Sequence, residues 1–291
     1  MKRFFAILLA LLMLTALCAC SSGESKEPAA SSISTDAPQE EDERGESSER
    51  VFEGVGMLYE NENLSLTLRK AEIDSLSDYN WGVTLVNKSD EELVFTFDDV
   101  YINNILFDPC WAVKVDVGMN AEENIIWSSP EMSERGITEV TRVDFTLRVT
   151  SESGKEYARV ELTNYPSGKS ADLVRSRSAQ TTDITVLDGE SYQAIIVGDD
   201  VENRWGFSLE LYLENNTEQA VVFTAENVTV NGKKSDPQWR CELPAGKRAY
   251  SEAVWFDGDF EGEAVSTVTF DLVIRDANGN AIMRQSVTYN P

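Results

Sequence analysis

The feature that most constrains this chain is that much of it is written twice. Trp127 recurs as Trp255, Val100, Ile102 and Asn103 recur as Val228, Val230 and Asn231, and Phe95-Thr96 recurs as Phe223-Thr224, all 128 positions on. Asn87 followed by Lys88-Ser89 matches Asn215 followed by Asn216-Thr217, and Asp108-Pro109 with Trp111 matches Asp236-Pro237 with Trp239. Trp81-Gly82 is paired with Trp205-Gly206 at a shorter offset of 124, and further on Val143 and Phe145 match Val268 and Phe270 at 125. Offsets that move by only a few residues are what differing loop lengths produce. The chain therefore contains two copies of one domain.

Each copy reads as strands. Leu64, Leu66 and Leu68 alternate with polar residues, as do Trp111, Val113, Val115 and Val117, and Val143, Phe145, Leu147 and Val149. In the second copy Phe207, Leu209, Leu211 and Leu213 alternate with Ser208, Glu210, Tyr212 and Glu214. Period-2 runs separated by Asn, Asp, Gly and Pro turns, such as Asn231-Gly232 and Asn278-Gly279, predict an all-β sandwich of seven or eight strands per copy. Ser129-Pro130-Glu131 is the one place where a single helical turn is expected. The first copy's second strand looks shorter than the second copy's, six residues from Trp81 to Asn87 against ten from Trp205 to Asn215.

The amino terminus reads as an address. Lys2 and Arg3 precede an apolar run from Phe4 to Leu17, a secretory h-region too short for a comfortable membrane span. It ends in Leu17-Cys18-Ala19-Cys20, which resembles the lipobox of bacterial lipoproteins, with Leu17 and Ala19 in the expected places before Cys20. The resemblance implies cleavage after residue 19, diacylglyceryl modification of Cys20, and anchoring on the outer face of the cytoplasmic membrane; two acyl chains suffice for stable attachment. Residues 21–50 are rich in Ser, Glu, Pro and Ala and cannot bury enough apolar surface to offset ordering entropy, so a disordered tether is expected. Its r.m.s. reach is roughly 30–35 Å.

The repeated residues carry a second resemblance. Val228-Thr229-Val230-Asn231 and Asp236-Pro237-Gln238-Trp239, preceded by Asn215 and Phe223, together with their first-copy partners, look like the domains of small lipoproteins of unknown function, with tandem immunoglobulin-like domains, that are common in gut Firmicutes. That implies an immunoglobulin-like fold and a Gram-positive cell surface, and it implies no activity. The expected organisation is a lipoprotein signal peptide over 1–19, the lipidated Cys20 and acidic tether over 20–50, one sandwich over 51–166, a linker over 167–182 that permits relative motion, and a second sandwich over 183–291.

Composition removes whole classes of function. With 51 Asp+Glu against 25 Lys+Arg the net charge is −26, which argues against nucleic acid as a partner. There is no histidine, so no His of this chain serves as a catalytic base or metal ligand. No Gly-x-Ser-x-Gly elbow and no phosphate-binding glycine loop is present. The chain is read as a non-enzyme without a cofactor.

Few residues remain as binding candidates. All six tryptophans fall into apparent repeat pairs, 81/205, 111/239 and 127/255, which favours packing; carbohydrate stacking by Trp81 and Trp205 is the functional alternative. Asp108-Pro109 and Asp236-Pro237 are read as turns. Asp257, Asp259, Glu261 and Glu263 alternate around Gly258 and Gly262 like the start of a calcium loop, but the closing position is Val268, so a solvated acidic turn is the plainer reading. Cys241 falls on the core face of its strand and Cys110 on the outer face, which disfavours a bridge. The expected function is binding of an extracellular ligand or protein by two lipid-anchored sandwich domains; the alternative is a structural accessory subunit of a membrane transport or secretion complex.

Overall fold

The computed structural model describes residues 50–168, 177–201, 206–256, 258 and 263–291. The expected signal peptide, Cys20 and most of the tether lie outside these residues. So does the 169–176 part of the linker.

The first half forms two facing sheets. One runs β2 (Gly56–Glu60), β3 (Leu64–Ile73), β4 (Tyr79–Asn87) and β8 (Asn120–Trp127). The other holds β1 (Arg50–Glu53), β10 (Glu156–Tyr165), β9 (Val143–Ser151) and β5 (Leu93–Ile102), with β6 (Ile105–Leu106) and β7 (Ala112–Val115) paired to β5. The second half repeats the plan. There β11 (Ile184–Asp188), β12 (Tyr192–Asp200), β13 (Gly206–Asn215) and β17 (Arg248–Phe256) face β19 (Ala281–Tyr289), β18 (Val268–Arg275) and β14 (Val221–Val230), with β15 (Lys233–Lys234) and β16 (Arg240–Leu243) on β14. Apart from one helical turn the described residues are all-β, in two tandem sandwiches of the immunoglobulin-like kind. The expected helical turn is α1 (Ser129–Glu134).

Alternation explains the core. Trp81, Val83 and Leu85 point inward from β4 with no exposed surface, and Phe95, Leu147 and Val149 answer from the opposite sheet. Trp81 meets Trp127 and Phe145 edge-on, each at 5.8 Å between ring centroids, a favoured aromatic geometry. In the second half Phe207, Leu209, Leu211, Phe223, Trp255 and Leu272 fill the same space. Val117 departs from the expected pattern. β7 ends at Val115, and Val117 lies in the turn beyond it, exposed.

The repeated polar residues lock turns. Asn87 is buried; its Nδ2 donates to the carbonyls of Glu91 (2.8 Å) and Val115 (2.9 Å), while its Oδ1 accepts from the amide and hydroxyl of Ser89. Asn215 does the same with Gln219, Leu243 and Thr217. Asn103 and Asn231 each sit at φ near +51°, a left-handed conformation that Asn tolerates, and bind across to the connector before the next strand. Asp108 and Asp236 each accept the amide two residues on, at 2.8 Å, as turn residues do.

Strand register corrects one repeat pair. Tyr79 lies opposite Trp127, and Phe207 lies opposite Trp255. Tyr79 and Phe207 are therefore equivalent, at the offset of 128, and Trp81 corresponds to Leu209. The Trp-Gly likeness at offset 124 does not mark equivalent positions. Consistently, β4 and β13 have nearly the same length, 9 and 10 residues. The first copy's second strand is not short; it was measured from the wrong tryptophan.

The two halves are also joined more closely than a flexible linker implies. β6 pairs in parallel with the start of β17, Ile105 opposite Arg248, and the Arg248 amide donates to the Asn104 carbonyl at 2.9 Å. One sheet of each half thereby merges into a single ten-stranded sheet. Tyr101 of the first half is buried in the core cluster of the second, and Tyr250 of the second packs against the core of the first.

Candidate functional site

Where the halves meet, a cleft of about 490 Å³ opens between them. One wall is the segment after α1, residues 133–139, with Asn103 and Ile105 beside it. The other is the outer face of β13 and β17, represented by Tyr212 and Tyr250, and the chain at Arg177, Ser178 and Gln180. Tyr212 and Tyr250 lie opposite one another across the strand pair, with ring centroids 5.2 Å apart.

Two guanidinium groups frame these rings. Arg177 lies over the Tyr212 ring at 5.7 Å and is held by both carboxylate oxygens of Asp183, at 2.5 and 2.8 Å. It also donates to the Tyr250 hydroxyl. Arg135 lies over Phe107 at 4.3 Å and faces Tyr250 at 6.0 Å, and its Nη1 donates to the Glu131 carbonyl. Such cation–π contacts fix the arginine heads against the wall. Burial pushes the Tyr250 phenol above its usual range, opposed by the Arg177 hydrogen bond. Burial also raises the Tyr212 phenol. Both phenols are neutral donor–acceptors at physiological pH. Burial raises the Glu210 carboxyl as well, with Arg135 opposing and Glu134 and Glu252 adding to the rise.

Of the residues singled out from sequence, the described ones, Trp81, Cys110 and Cys241, do not line this cleft. Trp81 is wholly buried, with its Nε1 donating to the Tyr79 hydroxyl at 2.9 Å; the indole belongs to the core and has no face free to stack on a ligand. Trp205, Asp257, Asp259 and Glu261 lie outside the described residues, as does the lipidation candidate Cys20. Cys110 is exposed and Cys241 buried, and both are free thiols.

The cleft residues were legible through a different signal. Tyr212 stands among Ser208, Glu210 and Glu214 on the polar face of its strand, where the first copy has Thr84; Tyr250 stands where the first copy has Glu122. An aromatic on the outward face of one copy only marks a surface that the other copy lacks. The fall in offset from 128 to 125 between Trp127 and Val143 likewise places three extra residues in the first copy's connector, which builds a cleft wall.

No family model and no curated protein matches the chain. Among solved structures it is similar to the YadV chaperone (11% identity, 78% of this chain and 100% of that chain, TM-score 0.23). It is also similar to the Salmonella enterica SafA pilin in complex with the SafB chaperone (10% identity, 80% and 98%, TM-score 0.23). A third match is a protein of unknown function from Porphyromonas gingivalis W83 (14% identity, 79% and 100%, TM-score 0.24). At these scores the superpositions are loose.

Proposed function

We propose that this chain is a non-enzymatic binding protein, held by lipid on Cys20 to the outer face of the cytoplasmic membrane, that receives an extracellular ligand in the cleft between its two sandwiches. The observation that carries this reading is the cleft itself. It is concave, drawn from both halves, lined by the partly buried Tyr250 and convergent polar groups, and backed by a continuous sheet that preforms it. The anchor and the acidic tether set the site away from the membrane surface.

The test is a pull-down with the full-length chain in detergent, against cell-wall polysaccharides and solubilised envelope proteins in parallel. Saturable binding that weakens in the Glu134→Gln and Ser178→Ala variants supports the reading. Binding indifferent to both variants would place the ligand elsewhere. The accessory-subunit reading is favoured by one feature, the edge of β19. Among the described residues this strand pairs only with β18, and it exposes Ile282 and Met283. Capture of one membrane protein, abolished by a proline at Ile282 but not by cleft variants, would select it.

A further inference from the structure

The first sandwich carries a strand that the second lacks. β1 lies in parallel beside β10, from Arg50 opposite Leu162 to Glu53 opposite Tyr165. The Gly54 amide donates to the Tyr165 carbonyl, and Asn164 Nδ2 donates to the Gly54 carbonyl, both at 2.9 Å. Phe52 packs on the first core. β10 and β19 are equivalent at the offset of 125, since Asn164 lies opposite Val143 and Tyr289 opposite Val268. Among the described residues β19 pairs with β18 alone. The segment that the offset of 128 would place beside β19, Ser178 to Thr181, lines the cleft instead at Ser178 and Gln180, next to Arg177 and its partner Asp183.

This open edge also lacks the usual guard. β2, β8 and β11, which end sheets too, carry Glu60, Glu122 with Glu123, and Asp188, charges of the kind that keep foreign strands away. β19 carries no carboxylate. Its one cation, Arg284, is bound by Glu226 and Asp271, and Ile282 and Met283 are exposed. Two acids bracket the strand. Asp276 stands in the turn that leads into it, and Asp199 accepts from the Tyr289 hydroxyl at its end. The first copy, whose edge is filled by its own chain, has Ser151 and Ala71 at these positions. A second copy, itself at −26, would meet like charge here, whereas a basic segment meets opposite charge.

We infer, resting on the second reading above, that the edge of β19 receives an extended, basic segment of another protein, which adds a strand parallel to β19. Its backbone takes the place that β1 has on β10, an apolar residue lies opposite Tyr289 as Phe52 lies opposite Asn164, and further apolar residues cover Ile282 and Met283. The Tyr165 carbonyl faces β1, so by strand alternation the Thr163 backbone faces it too, and Thr288 is the equivalent of Thr163.

The experiment is fluorescence-anisotropy titration of the full-length chain in detergent with labelled peptides matched to the 9 residues of β19, Val and Phe alternating with Lys and Thr, beside the same peptides with Glu for Lys. The basic peptides should bind, the acidic ones roughly tenfold or more weaker, and binding should slow hydrogen exchange along β19. Thr288→Pro removes an amide that faces away from β18, and Ile282→Lys adds a like charge while leaving the backbone intact. Each should weaken binding at least about fivefold, and Glu134→Gln in the cleft should not. No binding, protection elsewhere than β19, or binding indifferent to both edge variants overturns the strand assignment. Equal binding of the acidic peptides overturns the basic chemistry. If the peptides fail but a folded envelope protein binds and responds to Ile282→Pro, the second reading stands without this strand; if no partner responds to an edge variant, that reading falls too. Dimerisation of the chain alone, lost in Ile282→Lys, would overturn the assignment in favour of a second copy.

Discussion

Lys247 Nζ of the second sandwich lies 2.6 Å from Asp144 Oδ2 of the first, with both side chains mostly buried, at 13% and 12% exposure. The same ammonium donates to Asn104 Oδ1 at 3.1 Å and sits over the Tyr101 ring at 4.8 Å. On the other side Asp144 accepts from Arg142 and from the Thr163 hydroxyl. The pair sits beside the β6–β17 bridge, and together they fix the angle at which the cleft opens. In the first copy the position of Lys247 is held by Met119, exposed at the opposite end of its sandwich, so the lysine is a junction residue and not a repeat residue.

Asp144→Ala should therefore act on the junction. It leaves a mostly buried ammonium without its carboxylate, which costs about 3–5 kcal/mol where such pairs are fully desolvated. The expected result is a lower urea midpoint and a larger radius of gyration in solution scattering, as the sandwiches lose their fixed angle. An unchanged scattering profile would show that the sheet bridge alone holds the halves.

The buried asparagines make a second prediction. Asn215 uses both ends of its amide inside the fold, where water cannot replace the lost bonds. Asn215→Ala should destabilise the chain by roughly 2–3 kcal/mol, at about 1 kcal/mol net per hydrogen bond with an unsatisfied group left behind. Asn87→Ala should cost about as much, because its bonds are the same in kind. Chemical denaturation of both variants checks this, and a large inequality would contradict the equivalence of the two motifs.

Much of the fold was legible in the sequence because a sandwich is set by local rules. Period-2 alternation marked the inward faces of β3, β9 and β13, and the repeated Asn and Asp-Pro positions marked the turns. Equivalence failed at Trp81, because a shared Trp-Gly pair is a property of letters and register is a property of hydrogen bonding between strands. The cleft was not foreseen for a related reason. Comparing the copies draws attention to what they share, whereas the junction is built from residues in which they differ: Tyr101 against Thr229, Lys247 against Met119, Arg248 against Asn120, Tyr250 against Glu122.

Acid should unfold the protein through a defined set of carboxylates. The Arg177 guanidinium, with the Gln180 amide, holds the Asp183 carboxyl below its usual range. Arg275 and Arg284 do the same for Glu226, and the Asn280 side chain and amide do so for Asp276. A carboxyl depressed in the folded state contributes stability that is whole above its unfolded pKa, about 4, and is lost as pH falls through the lower folded value. The urea midpoint should thus be level between about pH 5 and 7 and fall below about 4. Asp183→Asn should shrink that acid limb. A midpoint that rises on acidification would mean instead that relief of mutual repulsion in this acidic chain dominates.

The thiols offer the last test. Cys110 is exposed in the turn that follows Asp108, at φ +50°, whereas Cys241 is buried on β16 opposite Phe223. Burial pushes the Cys241 thiol above its usual range, against a weaker opposing bond from Ser251. Because the thiolate is the reactive form, both access and ionisation protect Cys241. Under native conditions iodoacetamide should therefore label Cys110 and spare Cys241, and in denaturant it should label both, as read by peptide mass spectrometry. The two sulfurs belong to different sandwiches and to opposite environments, so no disulfide-linked peptide containing both should appear from the folded protein. Its appearance, or native labelling of Cys241 at a rate near that of Cys110, would mean that the β14–β16 region opens far more readily than its packing implies.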